Sequence, residues 1–257
     1  MMKTTISSFI FLFAIYSNAQ LEPIEEGIYK WNDFPVKKSE LKEGRSILEG
    51  SSPHLEYIEM HATTQMPGAT PGPAHANKDI EECIIVREGT MKITIEGKST
   101  VLGPEGVILL MPQQMHQMEN IGDTNLTYYV IRYRSKKPMN IERGAKAGGS
   151  LMINADSLTY KPSSRGGGVP YFDRETAMCE RYEMHVTQLD KLGPSHEPHK
   201  HIETEIILMM AGNTEMTIAG KTYQAGPGDF YLAKSGSMHG IKNLGEGSCR
   251  YFAFKWN

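Results

Sequence analysis

An internal repeat constrains this chain more than any other feature. Residues 82–98, ECIIVREGTMKITIEGK, return as EIILMMAGNTEMTIAGK at 205–221, a displacement of 123 that also carries Gly89 to Gly212, His116 to His239 and Asn120 to Asn243. A second block, Glu59-Met60-His61-Ala62-Thr63, returns as Glu183-Met184-His185-Val186-Thr187 with a displacement of 124. One unit of about 120 residues has been duplicated, and self-similarity at a fixed period has to be explained before any local pattern. The chain's 257 residues let each copy bury a core of ordinary size.

Each unit reads as all-β. Short runs such as MKITIEG, GVILLMP, TYYVIRYR, EMTIAG, DFYLAK and CRYFAFKW are punctuated by Gly, Pro, Asn and Asp at the spacing of a barrel or sandwich. Helical periodicity is not sustained anywhere after the N-terminal run, and a turn or two of helix is expected at most between Glu40 and Leu48. Between the copies, residues 135–169 contain Pro138, Gly148-Gly149 and Gly166-Gly167-Gly168, a connecting segment rich in strand breakers.

The first nineteen residues have the pattern of a signal peptide. Lys3 supplies the positive start, Ile6 to Tyr16 the apolar run, and Ser17-Asn18-Ala19 the small residues of a cleavage point that leaves Gln20 first. The run is well short of the ~20 residues that span a bilayer. The organisation expected is therefore a signal peptide over 1–19, a first domain over 20–140 and a second over 141–257. A periplasmic or secreted protein follows, with no membrane association once the signal is removed. With 27 basic and 30 acidic residues, a net charge of −3 and no long basic run, nucleic acid is not expected as a partner. The odd number of cysteines, Cys83, Cys179 and Cys249, excludes a complete disulfide framework; each sits among apolar or β-forming residues and reads as a small core residue.

Chemistry concentrates in the second copy. The run Gly193-PSHEP-His199-Lys200-His201-IET-Glu205 sets two imidazoles at alternate positions, which on a strand point the same way, and a carboxylate four residues on. Farther along, Gly228-DFYLAKSGSM-His239-GIK-Asn243 supplies a third imidazole. Three neutral nitrogens and one anionic oxygen suit a first-row divalent ion with positions left open. The ligand set expected is His199, His201, Glu205 and His239. Spacing does not choose among Mn, Fe, Zn, Ni and Co.

These spacings resemble the two signatures of the cupin superfamily, Gly-x5-His-x-His-x3-4-Glu-x6-Gly and Gly-x5-Pro-x-Gly-x2-His-x3-Asn. The first is matched throughout, and the second departs only where Lys234 stands for Pro. The resemblance implies two tandem cupin barrels of the jelly-roll type, a bicupin, with one divalent metal ion inside the second. In the first copy, His75, Glu82 and His116 remain, Asn77 stands where the second His belongs, and Met111-Pro112-Gln113-Gln114-Met115-His116 reads as one residue short and lacks the Gly. Those residues leave open a 2-His-1-carboxylate site or a set of polar pocket residues; the second reading is adopted, and this half is kept out of the metal set.

Strand alternation around the repeated Glu-Met-His puts Ile58, Met60 and Ala62, with Tyr182, Met184 and Val186, on an apolar face expected to pack inward. Glu59, His61, Arg181, Glu183 and His185 are then expected to be solvated or to lie at an interface, and His196 to be a loop residue. Family resemblance implies a metal-dependent lyase, isomerase or hydrolase acting on a small polar substrate, carboxylate- or sugar-derived, as in polysaccharide breakdown. Alternatives are a metal-dependent dioxygenase and a non-catalytic ligand-binding or storage protein. The oligomeric state stays open, a homodimer being one arrangement.

Overall fold

A computed structural model describes residues 21–245 and 247–257, so residues 1–19, where a signal peptide is expected, lie outside the described residues. The described chain is almost entirely strand, and its pairing repeats as the sequence does. In the first half, strand Leu55–Gln65 lies beside Leu126–Ser135 with Met60 opposite Ile131. In the second, Tyr182–Leu189 lies beside Cys249–Trp256 with Met184 opposite Phe254. The same shift relates Ile95 opposite His116 to Ile218 opposite His239. Each half is a jelly roll of one seven-stranded sheet and one small sheet, of three strands in the first half and four in the second, rather than a single closed ladder.

Two edge strands are exchanged. Gly27–Tyr29, which precedes the first half, pairs with Phe230–Ala233 of the second, and Leu151–Ile153, which precedes the second, pairs with Val107–Leu110 of the first. Each exchange covers a sheet edge that would otherwise present unpaired backbone groups. Tyr29 stacks on Phe230 with ring centroids 4.7 Å apart, and Trp31 lies against the guanidinium groups of Arg45 and Arg87, each 4.2 Å from its ring.

Strand alternation sends the apolar faces between the halves. Ile58, Met60, Ala62, Tyr182, Met184 and Val186 are all buried, and they belong to the cluster in which the two large sheets pack together. Each jelly roll has a separate interior cluster, Ile84, Ile93 and Leu110 in the first and Ile207, Met216 and Ile241 in the second. "Inward" for Met60 and Met184 is therefore towards the other half, and the polar residues between them face the jelly-roll interior. A fully buried Leu, Ile or Phe contributes about 1.5–3 kcal/mol, so this shared apolar layer ties the halves firmly.

Two local expectations fail. Residues 42–50 form a strand beside Leu55–Gln65, with Lys42 opposite Gln65, where a helical turn was expected. Pairing with a long neighbouring strand overrides a weak helical preference there. Gly166-Gly167-Gly168 also lies within a strand, Gly166–Arg174. Its glycines permit close approach: a Cβ on Gly166 would lie 2.2 Å from the Gln188 carbonyl oxygen, and one on Gly167 2.5 Å from that of Lys161. The one α-helix of the described residues, Ile141–Lys146, is capped by the Asn140 side chain, which accepts from the Arg143 amide. All three cysteines are buried and unbonded, as expected.

Candidate metal centre

The second half brings its four expected residues together from different elements. His199 forms an isolated bridge with His239, each amide donating to the other's carbonyl at 2.9 Å. His201 follows in a loop, not on a regular strand; the Gly236 amide donates to its carbonyl at 2.7 Å. Glu205 sits on strand Thr204–Ala211, opposite Ala233 and Lys255. His239 opens strand His239–Asn243.

Ring nitrogens of His199, His201 and His239 lie within 4.8 Å of one another. The Nδ1–H of His239 donates to the Ser237 carbonyl at 2.8 Å, and that of His201 to the Glu203 carbonyl at 3.1 Å. Those bonds set the neutral tautomer in which each Nε2 keeps its lone pair. Both Nε2 atoms, and Nδ1 of His199, are buried without a hydrogen-bond partner. Glu205 Oε2 approaches His239 Nε2 at 3.0 Å and His201 Nε2 at 3.4 Å, yet neither contact has hydrogen-bond alignment. Three imidazoles with buried, unpartnered ring nitrogens and a carboxylate gathered at one point are the donor types a cation requires, so this set fits a divalent metal ion.

Electrostatics agree with that geometry. Burial works to raise the Glu205 carboxyl, but His201 and His239 outweigh it and hold the group well below the usual carboxylate range. Burial also lowers the His199 imidazole, helped by His239 and His196, which keeps it neutral and able to coordinate. For His239 burial likewise lowers, and its contact with Glu205 together with its hydrogen bond to the Ser237 carbonyl reverses the sign.

A cavity of about 120 Å³ opens onto His199, Glu205 and His239, lined also by His185, Ser195, Tyr251 and Lys255. Lys255 Nζ pairs with Glu183 Oε2 at 3.1 Å, and His185 Nδ1 meets Glu183 Oε1 at 3.1 Å. The His185 hydrogen bond, with Lys255 in support, lowers the Glu183 carboxyl to about 2 against the opposing effect of burial. His196 also lines the cavity, its ring 4.6 Å from that of His199. Sequence reasoning left a pocket role for His185 and His196 as the less favoured reading, and it passed over Lys255. Part of the signal for Lys255 was in the sequence, since displacement by 123 makes it the counterpart of Arg132; in the structure both stand opposite the repeat-matched glutamates of their own half.

The first half has the same backbone and different chemistry. His75 and His116 form the matching bridge, and the Gln113 amide donates to the Asn77 carbonyl at 2.6 Å as Gly236 does to that of His201. The second signature is therefore full length; Gln113 takes the glycine position with φ +70°, beside +78° at Gly236. At the site itself, Arg132 Nη2 donates to Asn77 Oδ1 at 3.1 Å, and Arg132 Nε lies 3.1 Å from Glu82 Oε1. Glu82 Oε2 is 3.2 Å from His116 Nε2. A guanidinium already brings positive charge to the carboxylate and to the residue that replaces the second imidazole, so the first-half set, though His116 Nε2 is left unpartnered, suits a metal ion less well than the second-half set.

Known proteins agree with the fold and the duplication. A model of the cupin domain matches residues 62–132 and again 186–255. The pectin degradation protein KdgF of Dickeya dadantii is 42% identical over 52 residues, 20% of this chain and 47% of that protein, so the match spans about half the length of that curated relative. Among solved structures, the oxalate decarboxylase of Lactobacillus farciminis in its formate complex has a TM-score of 0.70 at 12% identity, with 91% of this chain and 87% of that one covered. AerE from Microcystis aeruginosa has a TM-score of 0.68 at 11% identity, covering 90% and 98%. Likeness at such identities concerns the fold alone. With one cupin-domain match in each half, together spanning more than half of its length, the chain belongs to the cupin family and is a bicupin.

Proposed function

We propose that this bicupin is a metal-dependent enzyme of the lyase, isomerase or hydrolase type, acting on a small carboxylate- or sugar-derived substrate in the second half. The observation that carries the reading is the convergence of ring nitrogens of His199, His201 and His239 with Glu205 Oε2, beside a cavity lined by His199, Glu205, His239, Lys255 and His185. A bound divalent ion supplies Lewis-acid polarisation of a substrate oxygen. His199, His201, Glu205 and His239 hold it. Lys255 offers a cationic donor to an acidic group of the substrate, and Glu183 fixes its position. His185, oriented by the same carboxylate, is placed to take or return a proton at a substrate carbon or oxygen. The cavity volume of about 120 Å³ restricts the occupant to a small molecule or to the end of a larger one.

Similarity to a pectin degradation protein over part of the chain supports an acidic sugar as the substrate class. Export of the chain, as residues 1–19 suggest, suits the breakdown of an external polysaccharide. N-terminal sequencing of secreted protein should find Gln20 first; an intact Met1 removes the export reading. The deciding experiment is metal analysis of purified protein followed by a screen of unsaturated uronates and small hydroxy- and keto-acids with the native ion retained. Turnover should survive His75→Ala/His116→Ala and vanish in His199→Ala/His201→Ala. The reverse result assigns the activity to the first half.

A further inference from the structure

Internal symmetry exposes a second place where the halves do not match, away from the metal centre. In the first half Glu81 is completely buried and reaches the 176–179 loop of the second. Its Oε2 accepts from the Thr176 hydroxyl at 2.6 Å and the Met178 amide at 3.1 Å, and its Oε1 from the Ala177 amide at 3.2 Å. Displacement by 123 makes Thr204 the counterpart of Glu81, and displacement by 124 makes residues 52–55 the counterpart of that loop. The two loops share one turn. Thr176 N donates to the Cys179 carbonyl and Cys179 N to Thr176 Oγ1; Ser52 N donates to the Leu55 carbonyl and Leu55 N to Ser52 Oγ.

What differs is the side chain between strand and loop. Thr204 ends where Glu81 continues to a carboxylate, its Oγ1 is buried with no hydrogen-bond partner, and the residue is only 1% exposed. A cavity of about 290 Å³ opens there, lined by Thr204, Ser52, Ile24, Pro53, Lys136 and Lys234. It shares no lining residue with the metal cavity. That separation follows from the strand, on which Thr204 and Glu205 are consecutive and face opposite sides. Of the two lysines, Lys234 pairs at 3.2 Å with Glu25, whose side chain is 84% exposed. Such a surface pair is weak and can be exchanged for an incoming anion.

We propose that this cavity is a binding site for a small monocarboxylate with a short apolar body. The carboxylate takes the place that Glu81 takes in the other half, accepting from the Thr204 and Ser52 hydroxyls and paired with Lys136 and Lys234. The apolar body lies against Ile24 and Pro53. Glu81 shows that this turn receives a carboxylate; at its counterpart Pro53 offers no amide proton, and the lysines supply the missing donors.

The test uses butyrate on the full chain carrying His201→Ala/His239→Ala, so that no carboxylate binding at the metal centre contributes. Calorimetry and ligand-observed NMR should give one site per chain with a dissociation constant on the order of 1 mM, reasonable for so small a ligand. Butan-1-ol and inorganic phosphate should each bind at least about tenfold more weakly. Thr204→Val and Lys136→Ala should each weaken butyrate about tenfold, and Thr204→Glu, which restores the internal carboxylate, should abolish binding. Lys136 is exposed, so its variant keeps the test intact if a substitution at Thr204 fails to fold. The proposal is overturned by any of three results: no saturable binding below about 10 mM, butanol or phosphate binding as well as butyrate, or butyrate affinity unmoved by Lys136→Ala. None of these results touches the metal-centre reading.

Discussion

Arg132 and Lys255 occupy equivalent positions in the two halves, each opposite the glutamate of its own site. The Arg132 fork reaches both Glu82 and Asn77, whereas the single ammonium of Lys255 turns to Glu183 and leaves Glu205 to the histidines. The paired differences are Asn for His at the second imidazole position and Arg for Lys on the neighbouring strand. A planar cation with several donors can satisfy a carboxylate and an amide oxygen together, and a point cation on a flexible stem cannot. One duplicated backbone thus carries a metal-ready centre in one copy and a self-neutralised ion pair in the other.

The largest effect expected is on the intact centre. Native protein should carry one metal per chain by elemental analysis, and His201→Ala/His239→Ala should lower affinity by about a thousandfold or more. His75→Ala/His116→Ala should leave the stoichiometry unchanged. Two metals per native chain would break the comparison outright. Converting the first half to the second-half pattern, with Asn77→His and Arg132→Lys together, should raise the metal content towards two per chain. A folded double variant that still holds one would show that more than these two positions separates the halves.

Glu205→Gln keeps the shape of the side chain while removing its charge, and should weaken metal binding about 10- to 100-fold with the β-rich circular dichroism spectrum unchanged. Loss of secondary structure on chelation of native protein would instead make the ion part of the fold. The smallest effect belongs to Arg132→Ala. It leaves buried Glu82 with His116 and the more distant His75 and should cost about 1–2 kcal/mol in urea unfolding, discounted because the Arg132 side chain is 31% exposed.

That variant also sharpens the pH response. Burial works to raise the Glu82 carboxyl, and His116, Arg132 and His75 together bring it below the ordinary value. A carboxylate depressed on folding stabilises fully above its unfolded value, roughly 4.3, and the contribution is lost as pH falls through the depressed value. Removing Arg132 should move the acid limb of the stability profile to higher pH. An unchanged limb would show that Arg132 does not share Glu82.

The duplication, the all-β class and the convergence of His199, His201, Glu205 and His239 in space were legible in the sequence, because repeat spacing and strand punctuation are local or periodic signals. The cysteines were legible for the same reason: apolar neighbours on alternating strands predict burial. Register was not. Whether Met60 and Met184 face the jelly-roll interior or the other half depends on which sheet surface meets which, and alternation alone names two faces without saying what covers either. The same ambiguity left pocket lining the less favoured reading of His185, which does line the cavity.

Only the tertiary structure decided the exchange of strands Gly27–Tyr29 and Leu151–Ile153, the place of Lys255 at the metal cavity, and the fate of the first-half ligands. Arg132 lies fifty residues beyond Glu82, and nothing in its own neighbourhood marks it as the group that neutralises that carboxylate. Ligand spacing along a chain reports which side chains can converge. Whether a cation from another strand already stands at the point of convergence is a property of packing, and it exists only once the sheets have closed on one another.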